Sequence, residues 1–192
     1  DIEDLFDSEI DETVEGKADK AVAEQELAAK RRTQAADMPA SPQKFSYMQS
    51  KEYHLQSAEG SIKIMLDPEG KILDYLEPEF VAQKYMESGD YYLNAALLTS
   101  WEHEPEEYRD LMQKALDRTY HATEYDLKEE IDEAWFTYQL ASAIQTILMN
   151  GHADGLRVEG RDVTWSLALQ WLEETDRRYE AAMAGDPPDL QL

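Results

Sequence analysis

The amino-acid sequence predicts a mainly α-helical protein. The expected architecture is an antiparallel bundle of about five helices with a small β-hairpin or meander at its N-terminal edge, preceded by a flexible acidic arm. Two observations lead to this prediction: apolar residues recur at helical spacing after residue 77, and short loops separate the helical segments. We place the arm and linker at residues 1–43, the α-rich domain at 44–185 and a loose C-terminal tail at 186–192.

The longest predicted helix runs from residue 125 to residue 151. No charged residue occurs between Ala134 and Gly151. Two rows of apolar side chains cover opposite sides, which predicts a central helix with neighbours on several faces; the rows are Leu127, Ile131, Ala134, Tyr138, Ala141, Ile144 and Leu148, and Trp135, Leu140, Ala143 and Ile147. Asp126 and Glu129 have the spacing of a capping box. Polar residues inside the uncharged run favour a buried helix of a soluble protein over a membrane span, among them Gln139, Ser142, Gln145 and Thr146.

The elements around this helix are predicted from shorter patterns. Strands are expected at residues 53–55, 61–66 and 71–76, the last two joined by a turn at 67–70. Helices are expected at residues 78–88, 90–101 and 105–121, and the segment 152–160 is interpreted as a short turn or strand. A last helix follows Asp162 as its cap, with Val163, Leu167 and Trp171 facing inward and Leu172 as a further candidate, and ends near Gly185.

Charge is the strongest compositional feature. The chain has 42 acidic and 18 basic residues, a formal net charge of −24, and no cysteine. This balance argues against direct nucleic-acid binding and against anionic membranes, because both need clustered lysine and arginine. It favours a protein partner with a basic or apolar groove. The lack of cysteine excludes thiolate chemistry and favours a reducing compartment, which predicts a cytoplasmic location.

The acidic arm carries the predicted binding residues. Residues 1–16 contain eight acids and no base, and large apolar residues stand among them. Segments of this kind are disordered alone and dock on a partner. The spacing of the apolar residues would form one stripe of a docked helix; these candidate anchors are Ile2, Leu5, Phe6 and Ile10.

Two acidic pairs could hold a divalent cation. Glu130 and Glu133 lie three residues apart on the central helix, and Glu173 and Asp176 repeat that spacing on the last one, so each pair can share a face. The arrangement resembles the all-α nucleoside triphosphate pyrophosphatases of the MazG and dUTPase-like group over these four positions, which implies a magnesium-dependent nucleotide hydrolase. Acids exceed one residue in five, so a solvated helix face explains the same spacing, and we predict neither a metal nor another cofactor.

No motif of a known catalytic site appears. The four histidines are scattered, and neither a phosphate-binding loop nor a nucleophile elbow occurs. His121 and Glu124 are expected to form a surface pair. The chain has eleven tyrosines, whose neighbours are largely acidic, and this indicates core packing and a protein interface rather than stacking of bases.

The sequence therefore predicts a non-catalytic protein–protein interaction subunit, an adaptor or an assembly chaperone of a larger complex, which docks through its acidic arm. Its oligomeric state stays open. One alternative is an acidic nucleic-acid mimic that blocks a DNA-binding protein, with carboxylates along residues 102–110 and 124–133. The other alternative is the magnesium-dependent pyrophosphatase-like enzyme.

Overall fold

The computed structural model describes residues 39–63, 65 and 76–185. Within these residues five α-helices and a two-stranded antiparallel sheet follow each other along the chain. In order, they are α1 (Pro42–Lys63), α2 (Pro78–Leu97), α3 (Pro105–Ala122), α4 (Glu130–Asn150), β1 (Arg157–Val158), β2 (Arg161–Asp162) and α5 (Trp165–Ala184). Each helix packs against the next one in sequence, and α2 also touches α4. The predicted mainly helical class with a small antiparallel sheet is confirmed.

The helix ends follow from local chemistry. α2 and α3 both begin with a proline in the first turn, where the missing N–H is no loss. The predicted capping box at Asp126 and Glu129 is wrong, because α4 begins one residue after Glu129 without a side-chain cap. Glu133 instead accepts a hydrogen bond from the backbone N–H of Leu127 at 2.9 Å. The cap of α5 is Thr164 and not Asp162: its hydroxyl accepts from the N–H of Leu167 at 3.1 Å.

The small sheet lies elsewhere than predicted. Residues 53–55 and 61–63, expected to be extended, belong to α1, whereas residues 64 and 66–75 are outside the described part. α1 buries Ala58 and Ile62, four residues apart, so helical spacing prevails over the alternation of isoleucines that suggested a strand. The described sheet pairs Arg157 with Asp162 and Val158 with Arg161.

The hairpin between α4 and α5 has a tight two-residue turn. Glu159 and Gly160 both have positive φ, 54° and 74°, as a turn of the mirror-image type requires. The side-chain amide of Gln113 in α3 accepts from the N–H of Arg157 and donates to its carbonyl, at 3.0 and 2.8 Å. The hairpin is thereby fixed on α3, and the short-strand interpretation of residues 152–160 is correct for residues 157–158.

α2 is one continuous helix and not the two that the sequence predicts. Gly89, the expected stop of the first of them, lies in the helix interior and is buried. A Cβ atom built there would be 2.3 Å from the hydroxyl oxygen of Thr119 in α3. The glycine therefore allows two helices to approach each other closely. From the sequence alone, a glycine with this role looks the same as a glycine that ends a helix.

The main core lies between α2, α3, α4 and α5. Its largest completely buried side chains include Tyr92 from α2, Met112 from α3, and Leu140, Ile144 and Ile147 from α4. α1 adds Ala58 to this core and forms a smaller cluster with α2 through Ile62 and Val81. In the part of the chain that the structure describes, no helix is both long and apolar enough to cross a bilayer.

Candidate protein-interaction surface

α4 and α5 form an antiparallel pair at one side of the bundle. The hydroxyls of Thr137 and Thr175 hydrogen-bond between the two helices at 3.0 Å. Near the hairpin, the start of α5 lies beside the end of α4: Trp165 lines a groove together with Gln145, and Leu172 lines it together with Tyr138. The inner faces of both helices, among them Ile144, Ile147, Leu167 and Trp171, belong to the main core.

The outer side of this helix pair is apolar and exposed. On α4 the exposed apolar side chains follow a spacing of four and three residues. On α5 the same spacing holds from 165 to 172, is interrupted at the exposed Asp176, and is followed by Tyr179 and Met183. We call this set the α4–α5 surface; its members are Ile131, Trp135, Tyr138, Trp165, Leu169, Leu172, Tyr179 and Met183. Trp135 and Trp165 are each 54% exposed and Leu169 is 58% exposed. Single exposed apolar side chains are common, and it is their arrangement in one continuous patch that is informative.

A groove runs between the two rows of side chains. Its volume is about 340 Å³, and the residues that line it are Tyr138, Ala141, Ser142, Gln145, Trp165, Ala168, Leu169 and Leu172. The ring of Trp135 stacks on that of Tyr138 with centroids 5.7 Å apart and extends the apolar surface along α4. Such a groove beside exposed aromatic rings fits a helical or apolar protein surface.

Charge is distributed unevenly along the surface. Residues 134–150 of α4 and 165–172 of α5 contain no Asp, Glu, Lys or Arg. All charged residues of the two helices lie toward the other end, from Glu130 to Glu133 and from Glu173 to Glu180. The half of the surface next to the hairpin is therefore uncharged in a chain with a net charge of −24.

The prediction that α4 packs on several faces is only partly correct. Ala134, Leu140, Ile144 and Ile147 are buried as expected, but Ile131, Trp135 and Tyr138 face outward. Leu172, a candidate inward residue, is also exposed. The sequence did contain a signal: the apolar residues of α5 form two stripes, and the described part of the chain supplies no helix to cover the second one.

The other predicted site residues fall in different places. Ile2, Leu5, Phe6 and Ile10 lie outside the described residues. Glu173 and Asp176 are exposed on α5, and Glu133 is engaged by the backbone of Leu127. Among residues 39–63, 65 and 76–185, no group of three or more histidines or acids is placed to hold a metal ion. The metal site at Glu130, Glu133, Glu173 and Asp176 therefore stays a hypothesis from the sequence, and the described residues show no metal-binding cluster there.

One histidine takes part in a polar chain. His121 Nδ1 lies 3.2 Å from a carboxylate oxygen of Glu124, as the sequence predicted, and Nε2 lies 3.1 Å from the hydroxyl of Tyr125. The ring of Tyr85 covers the imidazole at 4.1 Å between centroids. Burial raises the pKa of Tyr125, so its phenol is less acidic than usual and is not an activated nucleophile. These contacting side chains connect α3 to the loop before α4.

A smaller concavity lies between the hairpin and α5. Its volume is about 230 Å³, with Arg161, Gln170 and Trp171 among its lining residues. The polar groups there mostly pair with each other: Arg161 donates to Gln170 at 2.8 Å, and Arg178 donates to Glu174 at 2.8 Å. Among the described residues the arginines there are thus satisfied, and the indole N–H of Trp171 is buried without a hydrogen-bond partner. The larger groove and the exposed rings beside it make the α4–α5 surface the stronger candidate for binding.

Comparisons of this chain with protein-family models, with curated proteins and with solved structures gave no match.

Proposed function

We propose that this protein is a non-catalytic protein–protein interaction subunit, an adaptor or assembly factor, that binds another polypeptide through the α4–α5 surface. The observation that supports this proposal is the exposure of eight large apolar side chains along one side of two packed helices. The largest apolar patch on a typical monomer measures about 300–600 Å² and is often functional. Tryptophan and tyrosine, four of the eight, are the residues that most often dominate binding energy at interfaces.

The acidic arm is the second element of this proposal. Ile2, Leu5, Phe6 and Ile10 are separated by carboxylates in residues 1–16. Negative charge accelerates encounter with a basic partner, and the apolar side chains would supply the contact itself. We propose that the arm binds a partner with a basic or apolar groove, and that the protein acts in the cytoplasm.

The proposal is tested by capture from an extract of the native host. The full-length protein is immobilised beside a version that starts at Ser41 and beside the variants Trp135→Ser and Leu169→Glu. Tyr53→Ser is the matched control, since Tyr53 is 59% exposed on α1, away from the α4–α5 surface. We expect Tyr53→Ser to capture a partner in the same molar ratio as the wild type. The shortened version, Trp135→Ser and Leu169→Glu should each capture much less of that partner.

Equal retention by the wild type, both surface variants and the shortened version would contradict the proposed function. Far-ultraviolet circular dichroism of each variant shows whether the helical content is unchanged, so that a lost partner is not mistaken for a lost fold.

A further inference from the structure

We infer that a second copy of this chain occupies the α4–α5 surface and that the protein is a two-fold symmetric dimer. This inference rests on the proposed function, because it names the polypeptide that binds at the same surface. Area and charge support it.

The area is sufficient for a dimer. Four half-exposed aromatic side chains supply about 400 Å², at roughly 150–250 Å² for each complete side chain. The four aliphatic side chains add about 200 Å² on the area scale of apolar transfer energies. With the polar side chains at the edges, such as Ser142 and Gln145, each copy approaches the roughly 800 Å² that one partner contributes to a stable interface.

Charge favours a second copy over a basic partner at this surface. A basic helix would be recognised by carboxylates beside the groove, yet none occurs in residues 134–150 or 165–172. Two copies that each carry a net charge of −24 repel each other over most of their surfaces. Because one half of the α4–α5 surface is uncharged, the two copies can meet there without placing the carboxylates of one copy against those of the other.

Symmetry determines how the copies meet. A two-fold axis near Tyr138 and Leu172 makes the helices of one copy antiparallel to those of the other. The uncharged half of each copy then packs on the half of the other that contains Glu130, Asp176 and Glu180, so the acidic ends stay apart. α4 and α5 of both copies together form a four-helix layer, and each residue of the interface is used twice.

The first test is the molar mass of the purified full-length protein by light scattering, over a dilution series in low and high salt. We expect a concentration-dependent dimer that becomes tighter as salt rises, because salt screens the repulsion between two acidic copies. Leu169→Glu should raise the dissociation constant at least tenfold, since the dimer would then contain two additional carboxylates in its uncharged region. Tyr53→Glu adds the same charge on α1 and should have little effect.

The second test uses the absence of cysteine from the chain. Leu172→Cys places a single thiol beside the proposed axis, so mild oxidation should give a disulfide-linked dimer in high yield. Tyr53→Cys, the control, should remain mostly uncrosslinked. A monomer at all concentrations, or a dimer that Leu169→Glu leaves intact, would overturn the inference.

The two proposals fail in different ways. A monomeric protein whose surface variants still lose a host partner retains the proposed function but overturns the inference, because that partner then occupies the surface. A dimer that Leu169→Glu disrupts, together with no host partner for any version, supports the inference and contradicts the proposed role as an adaptor for a host protein.

Discussion

Glu174 shows how a single residue links stability to pH. Its carboxylate accepts hydrogen bonds from Arg177 and Arg178 on the same helix. The hydrogen bonds from Arg177, with those from Arg178, lower the pKa of Glu174 to about 2, against the opposing effect of burial. A carboxylate with a lowered pKa stabilises the folded state above its ordinary pKa, and this contribution is lost as pH falls through about 5 to 2.

We therefore expect Glu174→Gln to reduce the free energy of unfolding at neutral pH by about 1–2 kcal/mol, a value discounted because Arg177 is mostly solvated. Near pH 2 the variant and the wild type should be equally stable. Urea denaturation at several pH values measures both. Glu173→Gln, an exposed neighbour, is the control, and a difference that persists at pH 2 would contradict the assigned cause.

Gly89 lies where α2 and α3 approach each other closely. Alanine at this position adds a Cβ that meets the hydroxyl of Thr119 at 2.3 Å and the carbonyl oxygen of Ala115 at 3.1 Å. We expect Gly89→Ala to lower the free energy of unfolding by about 1–3 kcal/mol through overpacking, although alanine is the better helix former. Thermal denaturation of the variant and the wild type measures this loss of stability as a lower Tm.

The control for this prediction is Gly60, which also lies in a helix, but where an added Cβ would meet no other atom within 4 Å. Gly60→Ala should leave the Tm unchanged or raise it. Equal effects of the two substitutions would show that close packing at Gly89 is not the reason for its glycine.

At the scale of elements, Lys51 links α1 to the start of α3 through two ion pairs. Its side chain is 6% exposed, and its ammonium lies 3.0 Å from Glu107 and 3.5 Å from Glu104. Removing both partners leaves a buried positive charge uncompensated. The double variant Glu104→Gln/Glu107→Gln should therefore cost about 2–4 kcal/mol.

Lys51→Met removes the charge and keeps the volume, and should cost less than half as much, since its two carboxylates remain partly solvated. Denaturant midpoints compare the two variants, with the exposed Glu102→Gln as control. A larger loss for Lys51→Met than for the double variant would indicate that attraction, and not burial of the lysine charge, dominates at this contact.

The sequence predicted those elements whose signals are local. The prolines at the starts of α2 and α3, the uncharged run of α4 and the glycine after α5 gave the helices and the fold class. The sequence could not show that Gly89 serves a contact between helices, because that contact joins residues 26 or more positions apart. It also could not separate the inner stripe of α5 from its outer one, since both are apolar and only the number of neighbouring helices decides which is buried.

At the scale of the whole molecule, apolar surface and negative charge are kept apart. The uncharged half of the α4–α5 surface lies in a chain with 42 acids and 18 bases. Net charge of this size keeps a protein from associating indiscriminately. Association between copies is then expected only where the carboxylates of one copy do not face those of the other, and the uncharged half of the α4–α5 surface allows this.

The most direct test of that interface is hydroxyl-radical footprinting of the wild-type protein, dilute and concentrated. Trp135 and Trp165 report on the surface, and Tyr53, exposed to a similar extent on α1, reports on the rest of the molecule. We predict that both tryptophans become protected as concentration rises while the oxidation of Tyr53 stays constant. Tryptophans that are oxidised equally at every concentration would contradict the claim that this surface is covered by a second copy.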